Sequence, residues 1–114
     1  MTAEREVLAD RVRAALPRDR PVREVSMFGG LSFMVDDSMV VAARRDGELL
    51  VRIDPARYDA LLSVPGAKPA VMGTDHPMGP GWITVSRDGL TTDKELAFWT
   101  QVGLEYQGAR AQTR

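Results

Sequence analysis

The central part of the chain, residues 22–53, consists of four short apolar runs separated by residues that favour turns. The separators are Gly29-Gly30, Asp36-Asp37-Ser38 and Arg45-Asp46-Gly47. Glycine and aspartate tolerate the backbone conformations that tight turns between antiparallel strands require. The pattern therefore predicts four strands joined as an antiparallel meander.

Apolar residues occur on both faces of these predicted strands. One face is marked by alternating positions in the second and fourth strands: Leu31, Phe33, Val35, Leu49, Val51 and Ile53. Further apolar residues fall on the opposite face, which we call the second face: Met34, Val40, Ala42 and Leu50. An antiparallel sheet with one wet face alternates cleanly, and this one does not. We expect the second face to be covered by another part of the chain or by a second copy of the protein, and these four residues form a candidate interaction surface.

Helical periodicity occurs at both ends of the chain. Leu8, Val12 and Leu16 form an apolar stripe that predicts a helix over residues 3–16. Thr92 and Glu95 have the spacing of a capping box and predict the start of the last helix.

Between the meander and the last helix, Asp54 and Pro55 predict the start of a short second helix that ends near Ser63. Two further strands are predicted, Lys68–Met72 and Trp82–Val85. We thus predict a two-layer α+β domain of five to six antiparallel strands and three helices, in the order α-β-β-β-β-α-β-β-α, over residues 3–107. Gly108 is predicted to end the last helix and to begin a flexible tail over 108–114.

Segment 73–81 is rich in glycine and proline, which predicts a loop without regular structure. It contains the single histidine, a residue type that can serve as a general base, but a solvated histidine that hydrogen-bonds within its own turn is the better explanation. The residues specify neither a nucleophile nor an orienting partner, so we assign no catalytic residue. The candidate turn and loop site consists of Phe28, Gly29, Gly30, Asp75, His76 and Trp82.

Composition narrows the possible chemistry. The chain of 114 residues has no cysteine and one histidine, so we predict no metal site and no cofactor. Its net charge of -1 argues against direct nucleic-acid binding, for which Arg18, Arg20 and Arg23 are the best local candidates.

The charged N-terminus does not resemble a signal peptide and no apolar run has the length of a membrane span. We therefore expect a cytoplasmic protein with no membrane partner.

Several segments together resemble the TfoX N-terminal domain family. They are Met27-Phe28-Gly29-Gly30, Leu49–Asp54, Gly66–Pro69, Met78–Val85 and Leu96–Tyr106. The resemblance implies an antiparallel sheet with helices around it, similar to secretion-chaperone folds. It also implies a link to bacterial natural competence, which full-length TfoX/Sxy proteins regulate together with a global transcription factor. Those proteins carry a second, C-terminal domain, which we do not expect here, and the resemblance implies no catalytic residues for short members.

The leading hypothesis is a non-enzymatic protein-interaction and regulatory module, forming a homodimer and acting on a protein partner in transcription regulation. The alternative is a small-molecule-binding protein or modest enzyme with a pocket near the 73–81 loop.

Overall fold

The computed structural model describes residues 3–27, 30–36, 38–44, 46–72 and 76–112. The helices are α1 (Ala3–Ala15), α2 (Tyr58–Leu62) and α3 (Asp93–Gln112). The strands are β1 (Val22–Met27), β2 (Gly30–Val35), β3 (Ser38–Arg44), β4 (Leu49–Arg52), β5 (Ala67–Pro69), β6 (Val71–Met72), β7 (His76–Pro77) and β8 (Trp82–Val85). Single 3-10 turns span Pro55–Arg57 and Arg87–Leu90.

Six of these strands form one antiparallel sheet in the order β1-β2-β3-β4-β8-β5. Strands β6 and β7 pair separately as a small hairpin. The predicted α+β architecture with three helices and an antiparallel sheet is thus confirmed.

Helices α1 and α3 pack on one face of the sheet, which we call the helix face. Its core contains the alternating residues that the sequence predicted, and Phe33, Val51 and Ile53 are completely buried there. Helix α1 contributes Val12 and helix α3 contributes Trp99, and both are also inaccessible to solvent or nearly so. Burial of apolar surface on this face is the main source of stability for a domain of this size.

The predicted helix starts are confirmed by hydrogen bonds. The Asp54 carboxylate accepts a hydrogen bond from the backbone N–H of Ala56 at 3.0 Å and so caps the 3-10 turn Pro55–Arg57, which leads into α2 at Tyr58. At the start of α3, the backbone N–H of Glu95 donates to Thr92 Oγ1 at 3.1 Å, and the N–H of Thr92 donates to Glu95 Oε1 at 3.0 Å. These side chains satisfy backbone donors that have no partner within the helix.

The predicted end of the last helix at Gly108 is wrong, because α3 continues through Gly108 to Gln112. Glycine ends a helix when it adopts a positive φ angle, and Gly108 does not do so. With an ordinary helical φ angle, glycine only weakens a helix, by about 1 kcal/mol relative to alanine.

A β-bulge in β3 determines which face Val40 occupies. Phe33 pairs with Val41 and the next residue, Met34, pairs with Met39, so Val40 is one extra residue on β3. Val40 consequently lies in the helix-face core beside Val41, and its predicted position on the second face is wrong. Strict alternation fails here because a bulge places two successive side chains opposite one residue of the partner strand.

Helix α3 crosses the bulge at Gly103. A Cβ atom at this position would lie 2.7 Å from Val40 Cγ1 and 2.9 Å from the Val40 carbonyl oxygen, distances too short for real contacts. Glycine therefore lets the helix backbone approach β3 closely. At Gly108, by contrast, an added Cβ would have no neighbour within 4 Å.

We predict opposite effects of alanine at these two glycines of one helix. Gly108→Ala should raise the free energy of unfolding by about 0.5–1 kcal/mol, because alanine favours the helix. Gly103→Ala should lower it by about 1 kcal/mol or more, because overpacking outweighs that gain. Urea denaturation of the two variants measures both changes, and equal effects would contradict the close packing of Gly103 on Val40.

The exposed edge strand β1 is attached to α1 by an ion pair. Glu24 lies opposite Phe33 and therefore points to the helix face. Arg13 donates to both carboxylate oxygens of Glu24, at 2.6 and 2.8 Å, and its guanidinium carbon lies 5.9 Å from the centre of the Phe33 ring. A charged side chain that points inward from an edge strand also discourages pairing with other sheets.

The hydrogen bonds from Arg13 lower the pKa of Glu24 below its ordinary value. Because the folded-state pKa lies below the unfolded-state value of about 4.3, the ion pair stabilises the fold fully above that pH. This contribution is lost as the pH falls through the folded-state pKa. Its size is at most about 1 kcal/mol, since the pair is partly exposed to solvent.

Glu24→Gln should therefore reduce the free energy of unfolding at neutral pH and should have progressively less effect as the medium becomes acidic. Denaturant unfolding of both proteins across this pH range measures the difference. A difference that does not depend on pH would show that Glu24 stabilises the fold by packing alone. Added salt should reduce the difference at neutral pH because the ion pair is partly exposed.

Candidate interaction surface

The second face of the sheet is covered by the connection between β5 and β8. We call its described residues, 70–72 and 76–81, the cover segment. Ala70 is buried against Ala42 and Leu50, and Met78 packs on the same cluster. The Met78 N–H donates to the Ala70 carbonyl at 2.9 Å, which closes the segment on itself.

The cover segment also has more regular structure than the sequence predicted. Val71 pairs with Pro77 and Met72 pairs with His76, so two strands of two residues each form a hairpin. The sequence predicts a loop without regular structure over residues 73–81, which include the second of these strands. Proline is accommodated because it lies in a short strand with no further strand beside it. Arg44 of β3 attaches this hairpin to the sheet by donating to the Val71 carbonyl at 3.4 Å.

The residues predicted as an interaction surface therefore have different environments. Ala42 and Leu50 lie on the second face, as predicted, but neither has any solvent-exposed area. Met34 is half-buried at the margin of the same cluster, whereas Val40 lies on the helix face. Of the two alternatives for covering the second face, the structure shows that another part of the chain covers Ala42 and Leu50.

The candidate turn and loop residues are not brought together. Phe28, Gly29 and Asp75 lie outside the described residues. Gly30 pairs with Arg44 near the turn between β3 and β4, where a Cβ atom would collide with the Ala43 carbonyl oxygen, so glycine serves close strand packing there. His76 is exposed on the hairpin.

Trp82 lies at the end of the sheet opposite to Gly30. It belongs to a cluster of side chains that the sequence patterns did not predict. Arg52 of β4 is its direct cross-strand neighbour, and the guanidinium carbon lies 5.5 Å from the centre of the Trp82 ring. The same guanidinium carbon lies 5.8 Å from the ring centre of Tyr106 in α3. We call Arg52, Trp82 and Tyr106 the aromatic–arginine cluster; all three are half-buried.

Sequence patterns contained no direct signal for this cluster. Strand β8 pairs with β4 although α2, β5 and the cover segment separate them in the chain. In the sequence, Tyr106 is recognisable only as an apolar position of the last helix, at helical spacing from Trp99 and Val102. Knowledge of the strand order is needed before Arg52 and Trp82 can be recognised as neighbours.

Several open grooves occur in the helix layer, two of them beside the 3-10 turn Arg87–Leu90. One, of about 690 Å³, includes Arg11 and Arg87 in its lining, and Arg11 also pairs with Asp93 at 3.6 Å. The other, of about 370 Å³, is mainly apolar and lies between Pro65 and the exposed Phe98. Neither groove is lined by residues of 76–82, so neither corresponds to the predicted loop site.

Among the residues that the structure describes, no group of three or more histidine, aspartate or glutamate side chains is arranged to hold a metal ion. The helices of the same residue ranges include none with the length and apolar character needed to span a membrane.

The architecture defines a small α+β domain whose antiparallel sheet is covered on both faces. A model of the TfoX N-terminal domain matches residues 14–106, which is most of the chain. The chain therefore belongs to the TfoX N-terminal domain family. No curated protein matches it.

The covered second face predicts how substitution of Leu50 will act. Leu50→Asp should lower the free energy of unfolding by about 3 kcal/mol or more, because it removes buried apolar volume and places a charge there. Val22→Asp, at a valine in β1 that is 38% exposed, is the control and should cost less than about 1 kcal/mol. Denaturant unfolding and light scattering measure stability and mass together.

If Leu50→Asp left stability unchanged and instead converted a dimer to a monomer, the second face would be an interface between copies. That result would contradict coverage by the protein's own cover segment.

Proposed function

We propose that this protein is a non-enzymatic, cytoplasmic interaction module that acts on a protein partner in transcription regulation. The observation that carries the proposal is the match to the TfoX N-terminal domain over residues 14–106. The role follows from the family resemblance, since competence regulators of this family work with a transcription factor.

Surface charge supports a protein partner rather than direct contact with nucleic acid. Arg20 is one of three arginines considered for phosphate contacts, and it already donates to the Asp36 carboxylate at 2.6 Å and to the Gln107 side chain. Together with the net charge of -1, this pairing reduces the positive field that draws in a phosphate backbone.

The alternative of a small-molecule binder or enzyme requires Asp75, His76 and Trp82 at the margin of one pocket, and Asp75 lies outside the described residues. His76 is exposed, and Trp82 packs toward the cluster of Ala42 and Leu50. No specific observation favours this alternative over the interaction module.

The homodimer stays a prediction and is not needed for the proposed function. The apolar second face and the family resemblance both favour it, but the cover segment accounts for the first of these features within one copy. Light scattering over a range of concentrations tests it directly.

A combined genetic and biochemical experiment tests the proposed function. Tagged protein retained on beads from a nuclease-treated lysate of the source organism should capture a transcription factor or an RNA polymerase subunit. Deletion of the gene should change the transcripts that the captured factor controls, and the wild-type gene should restore them.

Unchanged transcript levels in the deletion strain would contradict the proposal. So would capture of the factor that disappears on nuclease treatment, since that dependence would show association through nucleic acid.

A further inference from the structure

Arg52 differs in its side-chain contacts from Arg20 and Arg57, two arginines at the same end of the molecule. Arg20 pairs with Asp36 at 2.6 Å, and Arg57 pairs with Glu105 at 3.4 Å. Within the part of the chain that the structure describes, the contacts of the Arg52 guanidinium are instead with the rings of Trp82 and Tyr106. Arg52 is therefore a half-buried cation held by aromatic rings rather than by a carboxylate.

The two cation–π contacts fix the orientation of the Arg52 guanidinium, but they are not the strongest interaction that a guanidinium can make. A cation–π contact involves attraction to the electron-rich face of a ring, whereas the N–H donors of arginine lie in the guanidinium plane and match a carboxylate in pairs. A partly desolvated cation also gains more from an added anion than a fully hydrated one does. The geometry therefore favours a carboxylate ligand for Arg52.

The surroundings of the cluster are apolar and adaptable. Met34 and Met78 are half-buried and pack with Trp82 around the small core of the second face. Methionine side chains adjust their shape to a partner, and arginine, tryptophan and tyrosine are the residue types that contribute most to binding energy in protein interfaces. A ligand that combines a carboxylate with an apolar group fits this composition.

We propose that the aromatic–arginine cluster, together with Met34 and Met78, which pack on the same small core as Trp82, binds a segment of a partner protein that presents an Asp or Glu next to an apolar residue. The carboxylate pairs with the Arg52 guanidinium, and the apolar residue packs on Trp82 and the methionines. This proposal rests on the proposed function and assigns the surface and the partner chemistry for it.

Nucleic acid fits the same surface less well. Its binding draws on several unpaired cations along the phosphate backbone. Of the cations near this surface, Arg20 is paired with Asp36 and Arg57 is paired with Glu105, so these two are less available for phosphate contacts.

Selection from a random-peptide library displayed on phage tests the partner chemistry. Peptides are selected on the wild-type protein and counter-selected on Arg52→Gln, and fluorescence polarisation of labelled synthetic peptides then measures affinity. The enriched peptides should share an Asp or Glu beside an apolar residue. Affinity should fall about tenfold or more in Arg52→Gln and when the acidic residue of the peptide becomes its amide.

Two further variants separate recognition from folding and from general charge. Arg52→Lys keeps the charge but loses the paired donors, and it should also weaken binding while retaining the wild-type unfolding midpoint. Arg57→Gln removes a positive charge that is already paired with Glu105, and it should bind the peptides as the wild type does.

Enriched peptides without a shared acidic residue would overturn the proposal, as would equal affinity for the wild type and Arg52→Gln. Binding of a labelled single-stranded oligonucleotide that depends on Arg52 would overturn it in favour of a nucleic-acid ligand. If Arg52→Gln still captures the transcription partner from lysate, the proposed function holds and this surface assignment fails. If the acidic peptides bind but the lysate yields no such partner, the surface assignment holds and the proposed function fails.

Discussion

A sheet with apolar side chains on both faces is stable in water only when both faces are covered, and this requirement organises the whole domain. Helices α1 and α3 cover the face of Phe33 and Val51. The connection between β5 and β8 covers the face of Ala42 and Leu50, so a single copy of the chain buries both sides. The glycines and prolines of this connection allow it to leave the sheet after β5, fold back over it and return as β8.

The β-bulge adapts the sheet to the helix that crosses it. By placing Val40 and Val41 on the same face, the bulge adds apolar surface beneath α3. Gly103 then provides the space that this extra side chain and the bent strand require. The two features depend on each other, since a larger residue in the helix would collide with Val40 and a regular strand would move Val40 to the other face.

The same architecture produces the aromatic–arginine cluster at one end of the sheet. Pairing of β4 with β8 places Arg52 beside Trp82, and the length of α3 brings Tyr106 to the same guanidinium. Cation–π contacts then hold a half-buried charge in a defined orientation at the surface. The sheet and the helix thus hold the proposed recognition group, the Arg52 guanidinium, at the surface of the domain.

Local signals in the sequence determined α1, the four strands of the meander, the Asp54 cap and the Thr92–Glu95 capping box, because each depends on residues only a few positions apart. The α+β class followed from their order. The tertiary structure decided the face of Val40, the continuation of α3 through Gly108 and the covering of Leu50. It also decided the meeting of Arg52 with Trp82 and Tyr106, which no local pattern indicated. Strand register, strand order and helix packing are long-range properties, and they arise only when distant segments bury their surfaces against one another.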